Sequence, residues 1–220
     1  MKRVRRVMKR YNPNSRIDFH SGDNWSPPWL SEPPLSSPAN EYMEHFPYLD
    51  TLWFGELYDY NMPPDYWLVE ISGIPFGLMG DMLQDGGNPY RGMIYGMTGR
   101  DRSNTTRGIW QTWDDFGIEQ AEMLGYWRPD CPVRADHPDV LATVYRKPGK
   151  SLIALASWAK EDVKVRLQID WDALGICPDR CRMTAPPVPH FQPLARFSPS
   201  EPIPVPAGKG WLILVESEGD

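Results

Sequence analysis

Tyr48-Leu-Asp-Thr-Leu-Trp-Phe-Gly-Glu-Leu-Tyr-Asp-Tyr60 is the stretch around which the chain is organised. Its apolar run, Leu52 to Phe54, leads through Gly55 into Glu56, Tyr58, Asp59 and Tyr60, the pattern of a buried strand opening into a polar, ring-rich loop. Rings and carboxylates together suit a sugar. The C–H faces of a pyranose pack on aromatic side chains, and its hydroxyls and glycosidic oxygen take hydrogen bonds or a proton from carboxyl groups. The same letters also fit a core strand followed by an exposed turn, and within this stretch the two readings are even.

Before it, Lys2, Arg3, Arg5, Arg6, Lys9 and Arg10 surround Val4, Val7 and Met8 at helical spacing, which predicts a solvated amphipathic helix. Pro13 stops that helix. Arg16-Ile-Asp-Phe-His20 alternates as a short strand broken by Ser21-Gly22-Asp23, and Asp18 and His20, two apart, belong to one face of it. Helix, turn, strand and polar loop form the rhythm of an α/β unit, whose functional groups gather where strands end. Residues 25 to 40, rich in Pro, Ser and Trp, read as a long irregular loop, and Glu41 to Phe46 as a short helix capped by Asn40.

Downstream of the quoted stretch, Pro63 to Ile71 reads as a Pro-led helix, and Ile74-Pro-Phe-Gly-Leu-Met-Gly-Asp81 as an apolar, Gly-rich strand ending on a carboxylate. Arg91 to Gly99 fits either a strand or a close-packed helix. Ile109, Trp113, Phe116 and Ala121 predict a helix interrupted or bent near Gly117, and Tyr126 to Pro132 marks a change of period taken as a domain boundary. Beyond it the signal is β. Leu141 to Tyr145, Ser151 to Ser157, Val163 to Ile169 and Trp211 to Val215 are strands, the first two joined by a hairpin turn at Lys147-Pro-Gly-Lys150. Strands with only turns between them indicate an antiparallel sandwich.

Composition narrows the function. With 220 residues and a net charge of −6, the chain has ample core and lacks the basic face that a general nucleic-acid partner requires. No apolar run approaches membrane-spanning length and no secretory h-region follows the charged start, so neither a membrane nor a compartment is assigned. Cys131, Cys177 and Cys181 have no His or Cys cluster beside them and read as isolated thiols; no cofactor or metal is expected. Asn24-Trp-Ser and Asn104-Thr-Thr match a glycosylation sequon too short to weigh. The 10 Trp, 10 Tyr, 7 Phe and 24 Pro fit a loop-built binding cleft on a folded scaffold.

Four phrases carry a resemblance: Ser-Pro-Ala-Asn-Glu-Tyr-Met-Glu-His-Phe-Pro-Tyr (37 to 48), Leu-Trp-Phe-Gly-Glu (52 to 56), Trp-Leu-Val-Glu-Ile-Ser-Gly-Ile-Pro-Phe-Gly-Leu-Met-Gly-Asp-Met-Leu-Gln (67 to 84) and Val-Leu-Ala-Thr-Val-Tyr (140 to 145). The sequence resembles bacterial glycoside-hydrolase-like proteins related to glycoside hydrolase family 123. The resemblance implies a (β/α)8 barrel followed by a β-sandwich, acting on glycosides through an adjacent Asp-Glu pair, in which the Glu protonates the leaving oxygen and the Asp orients the substrate's N-acetyl group. No Asp-Glu dipeptide occurs here, and roughly 125 residues before the sandwich are too few for eight strand–helix units.

The expectation is therefore α/β plus all-β: the last strands of a (β/α)8 barrel over residues 1–128, then an antiparallel β-sandwich over 129–220. The main acid/base pair would lie upstream, in a missing N-terminal barrel portion that would be a partner. Within this chain Glu56 is the candidate acid and Asp18 its stabiliser, with His20, Trp53, Tyr58, Asp59 and Asp81 as oligosaccharide contacts. A non-catalytic carbohydrate-binding module and an inactive barrel fragment are the competing classes.

Overall fold

The computed structural model describes residues 1–20, 43–54, 64, 79–82, 88–96 and 104–217. The chain divides into two compact units, Met1–Gly87 and Asn88–Asp220.

In the first unit, α1 (Lys2–Tyr11) forms as its spacing predicts and ends on extended Asn12, just before Pro13. The helix expected over Glu41 to Phe46 is instead a 3-10 turn, Met43–Tyr48, with Pro47 inside it. Proline's missing N–H explains why this segment does not settle into an α-helix. Three strands follow one another: β1 (Asp18–His20), β2 (Thr51–Phe54) and β3 (Met79–Met82). They form a parallel sheet in the order β1-β2-β3. The predicted loop over 25–40 and the predicted helix over Pro63 to Ile71 lie outside the described residues, apart from Pro64.

The second unit is built on a six-stranded antiparallel sheet in the order β11-β10-β13-β7-β6-β4. Its members are β4 (Glu122–Leu124), β6 (Val140–Lys147), β7 (Lys150–Ser157), β10 (Cys181–Ala185), β11 (Ala195–Phe197) and β13 (Gly210–Ser217). The predicted hairpin joins β6 to β7 with Lys147 opposite Lys150, and Gly149 adopts φ 68° in its turn, a conformation glycine takes without strain.

Val163 to Ile169, which alternates like one strand, is two. β8 (Val163–Val165) pairs with β12 (Ile203–Val205), and β9 (Leu167–Ile169) pairs with β5 (Val133–Ala135). Between them Arg166 turns to Asp136, whose carboxylate accepts the Arg166 N–H at 2.8 Å. These small sheets and α4 (Trp171–Leu174) cover one face of the large sheet. Val133, Val165, Ile203, Leu174 and Ile176 there pack against Val144, Ile153, Leu155, Ile213 and Val215 in one continuous core. The result is the layered, mostly antiparallel arrangement expected of a sandwich.

The opposite face of the sheet is covered too. α2 (Pro89–Met93) and α3 (Asn104–Phe116) supply Met93, Ile94, Ile109, Trp113 and Phe116, all buried. Thr143 and Tyr145 of β6 donate their hydroxyls to the carbonyls of Ile94 and Met93, each at 2.7 Å. Residues 91–99, read as either strand or helix, therefore begin as the end of α2. The Asn88 side chain caps that short helix by accepting from the N–H groups of Tyr90 and Arg91. The interruption read near Gly117 is present: α3 ends at Phe116, Gly117 turns left-handed at φ 74°, and a 3-10 turn, Ile118–Gln120, follows.

The boundary read at 126–132 lies within the second unit, since β4 and β6 on its two sides pair with each other.

Gly210 opens β13 opposite Ala156, and a Cβ there would lie 1.8 Å from the Leu155 carbonyl oxygen. Gly210→Ala is expected to prise β13 from β7 and cost about 3 kcal/mol or more, measured by urea denaturation. The control, Gly175→Ala, has open space around its Cβ and is expected to show only the smaller penalty of its left-handed backbone.

Candidate functional site

The parallel sheet of the first unit sorts the predicted residues by register. Asp18 lies opposite Thr51 and Thr51 opposite Met79; two residues on, His20, Trp53 and Asp81 form a second row. The backbones of that row span about 10 Å, two interstrand spacings. His20 ends β1, and Trp53 and Asp81 are the penultimate residues of β2 and β3, so the row sits toward the C-terminal ends of all three strands. In parallel β/α sheets that is the end where ligands bind and chemistry is placed. By strand alternation Asp18, His20, Trp53 and Asp81 belong to one face of the sheet, and Phe19, Leu52 and Phe54 to the other.

Of the seven residues singled out in the sequence, these four are brought together on neighbouring strands. Glu56, Tyr58 and Asp59 follow the end of β2 and lie outside the described residues.

The other end of the sheet is locked by an ion pair that the sequence pattern did not reveal. Arg5 of α1 grips Asp50 with both terminal nitrogens, at 2.8 and 3.0 Å, and also donates to the Tyr48 carbonyl at 3.1 Å. Asp50 in turn accepts the Ile17 N–H at 2.8 Å and donates its own N–H to the Ile17 carbonyl at 2.9 Å. One carboxylate thus joins the helix to the residues that precede β1 and β2. The hydrogen bond from Arg5 holds the Asp50 carboxyl below the usual carboxylate range; partial burial opposes this, and the Ile17 N–H adds to it. Arg5 and Lys9 are four apart on the half-buried side of α1, where Lys9 donates to the Pro13 and Ser15 carbonyls. That i, i+4 spacing is the one signal from which an inward-facing basic pair was readable.

Among the described residues no group of three or more His, Cys, Asp or Glu is placed to hold a metal. No described helix is long and apolar enough to cross a membrane. Cys131 is buried, and burial pushes its thiol above the ordinary value, which makes it an inert core residue.

Comparison with protein families gives two adjoining matches that together span most of the chain. Residues 1–102 match the family model described as Glycoside hydrolase 123, TIM-barrel domain, and residues 105–216 that described as Glycoside hydrolase 123, C-terminal domain. A comparison with curated proteins finds none that matches.

Because Asp50 titrates below its unfolded value near 4, its pairing stabilises the fold above that pH and is lost as the pH falls through the lower folded-state value. Asp50→Asn is expected to lower stability by about 1 kcal/mol at pH 7 and by progressively less below about pH 4. Denaturant titrations at pH 7 and pH 3 measure both gaps; equal gaps would remove the charge from the explanation.

Proposed function

Because the chain belongs to glycoside hydrolase family 123, we propose that it works in the hydrolysis of O-glycosidic bonds, with hexosaminidase-like specificity, and supplies the closing strands of a (β/α)8 barrel followed by a β-sandwich. The observation that carries this reading is the row of His20, Trp53 and Asp81 at the C-terminal ends of three parallel strands. It combines an imidazole, an indole and a carboxylate at the end of the sheet where barrel enzymes bind substrate. A sugar ring resting there would find an aromatic surface in Trp53 and hydrogen-bond partners in His20 and Asp81.

In this reading the substrate meets further groups just past β2, where Glu56, Tyr58 and Asp59 follow in sequence. Glu56 is the proposed proton donor of this chain. Trp53, Phe54 and Tyr58 neighbour it in sequence, and a carboxyl group set among aromatic rings would be poorly solvated, which favours the protonated form that a general acid needs near neutral pH. Asp18, one row nearer the N-terminal end of the sheet and on the same face as His20, would stay ionised and stabilise the positive charge that develops on the sugar ring. The family's Asp-Glu dipeptide has no counterpart here; the proposal places that pair on the remaining barrel wall, which would then be this chain's partner in the site.

Hydrolysis of a panel of aryl glycosides tests the assignment. Glu56→Gln and Asp18→Asn are each expected to lower turnover by a factor on the order of a hundred or more, with far-UV circular dichroism confirming that both variants fold. Turnover that survives both substitutions would remove these residues from the mechanism. Absence of turnover from every form, the unaltered chain included, would favour a barrel portion that depends on its partner.

A further inference from the structure

A second recessed surface has its described lining within the second unit, in the part of the chain that matches the C-terminal domain. It is a groove of about 680 Å³ between α3 and the prolines that follow β10. Its floor is Leu152 of β7 and Leu214 of β13, on the sheet face that α2 and α3 cover. One wall is a single stripe of α3, with Arg107, Gln111 and Asp115 four residues apart; the other is Pro186, Pro187 and Pro189. α3 meets the proline segment at Gly108, itself part of the groove's lining, where a Cβ would come within 2.8 Å of Val188. Gln192 holds the segment in turn, donating to the Pro186 and Leu212 carbonyls and accepting from the Leu212 N–H.

The polar groups of this groove stand on one side and the apolar groups on the other. Charge of both signs stands along it: Arg107 and Asp115 lie at the two ends of the α3 stripe, and Lys150 pairs at 3.1 Å with Glu216, which Arg182 shares. An extended peptide is poorly served, since the α3 backbone is engaged in its own helix, and proline rings present no N–H to a passing strand. A molecule with an apolar face and a rim of uncharged donors and acceptors fits both walls. Its C–H face would lie on the prolines and leucines, and its hydroxyls would meet Gln111 and Asp115, already linked by a 2.9 Å hydrogen bond. The volume is within the range of pockets that enclose compact organic ligands.

We propose that this groove is a second, non-catalytic saccharide site that takes a short uncharged oligosaccharide. The choice of ligand rests on the glycoside reading above; the geometry of the groove does not. Such a site would retain the glycan chain while its scissile bond is processed elsewhere, raising the effective concentration of substrate.

The test uses the whole chain with its leucine methyls labelled, titrated with a neutral hexose trisaccharide, an N-acetylhexosamine trisaccharide and, as competitors, a proline-rich and an acidic peptide. The Leu152 and Leu214 methyl signals are expected to shift with at least one sugar and with neither peptide. The exposed pair Gln111→Ala and Asp115→Ala, made together, is expected to weaken sugar binding about tenfold, and Leu214→Trp to abolish it by filling the floor. Unchanged methyl signals with both sugars, or a response to a peptide, would overturn the proposal; so would sugar binding that the double variant leaves intact. Turnover of a small aryl glycoside, followed in parallel, separates the two readings. The groove variants are expected to leave it unchanged, so methyl shifts without turnover would uphold the groove in a barrel portion that depends on its partner for chemistry, and turnover without methyl shifts would sink only the groove.

Discussion

A strand with no solvent-facing side must be covered twice, and β7 is such a strand: seven of its eight residues are buried. Ile153 and Leu155 face the core shared with the small sheets, while Leu152, Ala154 and Ala156 face the layer formed by the helices. Most of the second unit answers that requirement. The small sheets and α4 close one face, and α2, α3 and the proline segment close the other. The close approach of Gly210 to Leu155 lets β13 lie against β7 along its full length. Arg91, buried in α2, directs its guanidinium to the Ser157 carbonyl and holds it over the Trp158 ring, 4.7 Å from the centroid, so even this charge serves the end of β7.

Three of the polar side chains buried by this covering are matched to backbone groups. Thr143, Tyr145 and Gln192 each bond main-chain groups that the ladder leaves open, and burial pushes the Tyr145 hydroxyl well above its ordinary range, keeping it a neutral donor. At the margin of the sheet, Glu216 lies between Lys150 and Arg182. Burial works to raise its carboxyl, but the hydrogen bonds from Arg182 and Lys150 prevail and hold it below the usual range. The groove over Leu152 and Leu214 is the place where the helical cover and the proline cover fall short of each other.

The first unit follows another logic, in which the two ends of a parallel sheet are built differently. The N-terminal end is secured by Arg5 and Asp50, a partly buried pair with backbone groups attached to each member. The C-terminal end carries the row of His20, Trp53 and Asp81. Separation of this kind lets the C-terminal end vary without loosening the anchored end.

Periodicity alone determined the elements whose neighbours are close in sequence. The basic helix, the β6–β7 hairpin at Pro148-Gly149, the strand at Leu52 to Phe54 and the mostly β character after residue 140 were legible because the turn residues and the alternation sit in the same few letters. The motif phrases carried the family as well. Tertiary structure decided what depends on partners far away along the chain. Arg166 divides an apparently continuous strand because Asp136, thirty residues earlier, takes its N–H. Residues 88–96 join the second unit because β6 hydroxyls need their carbonyls. The alignment of His20 with Trp53 and Asp81, and the groove drawn from four separate segments, likewise arise from register and packing. A local pattern states which face of an element is apolar, but not which other element will cover it.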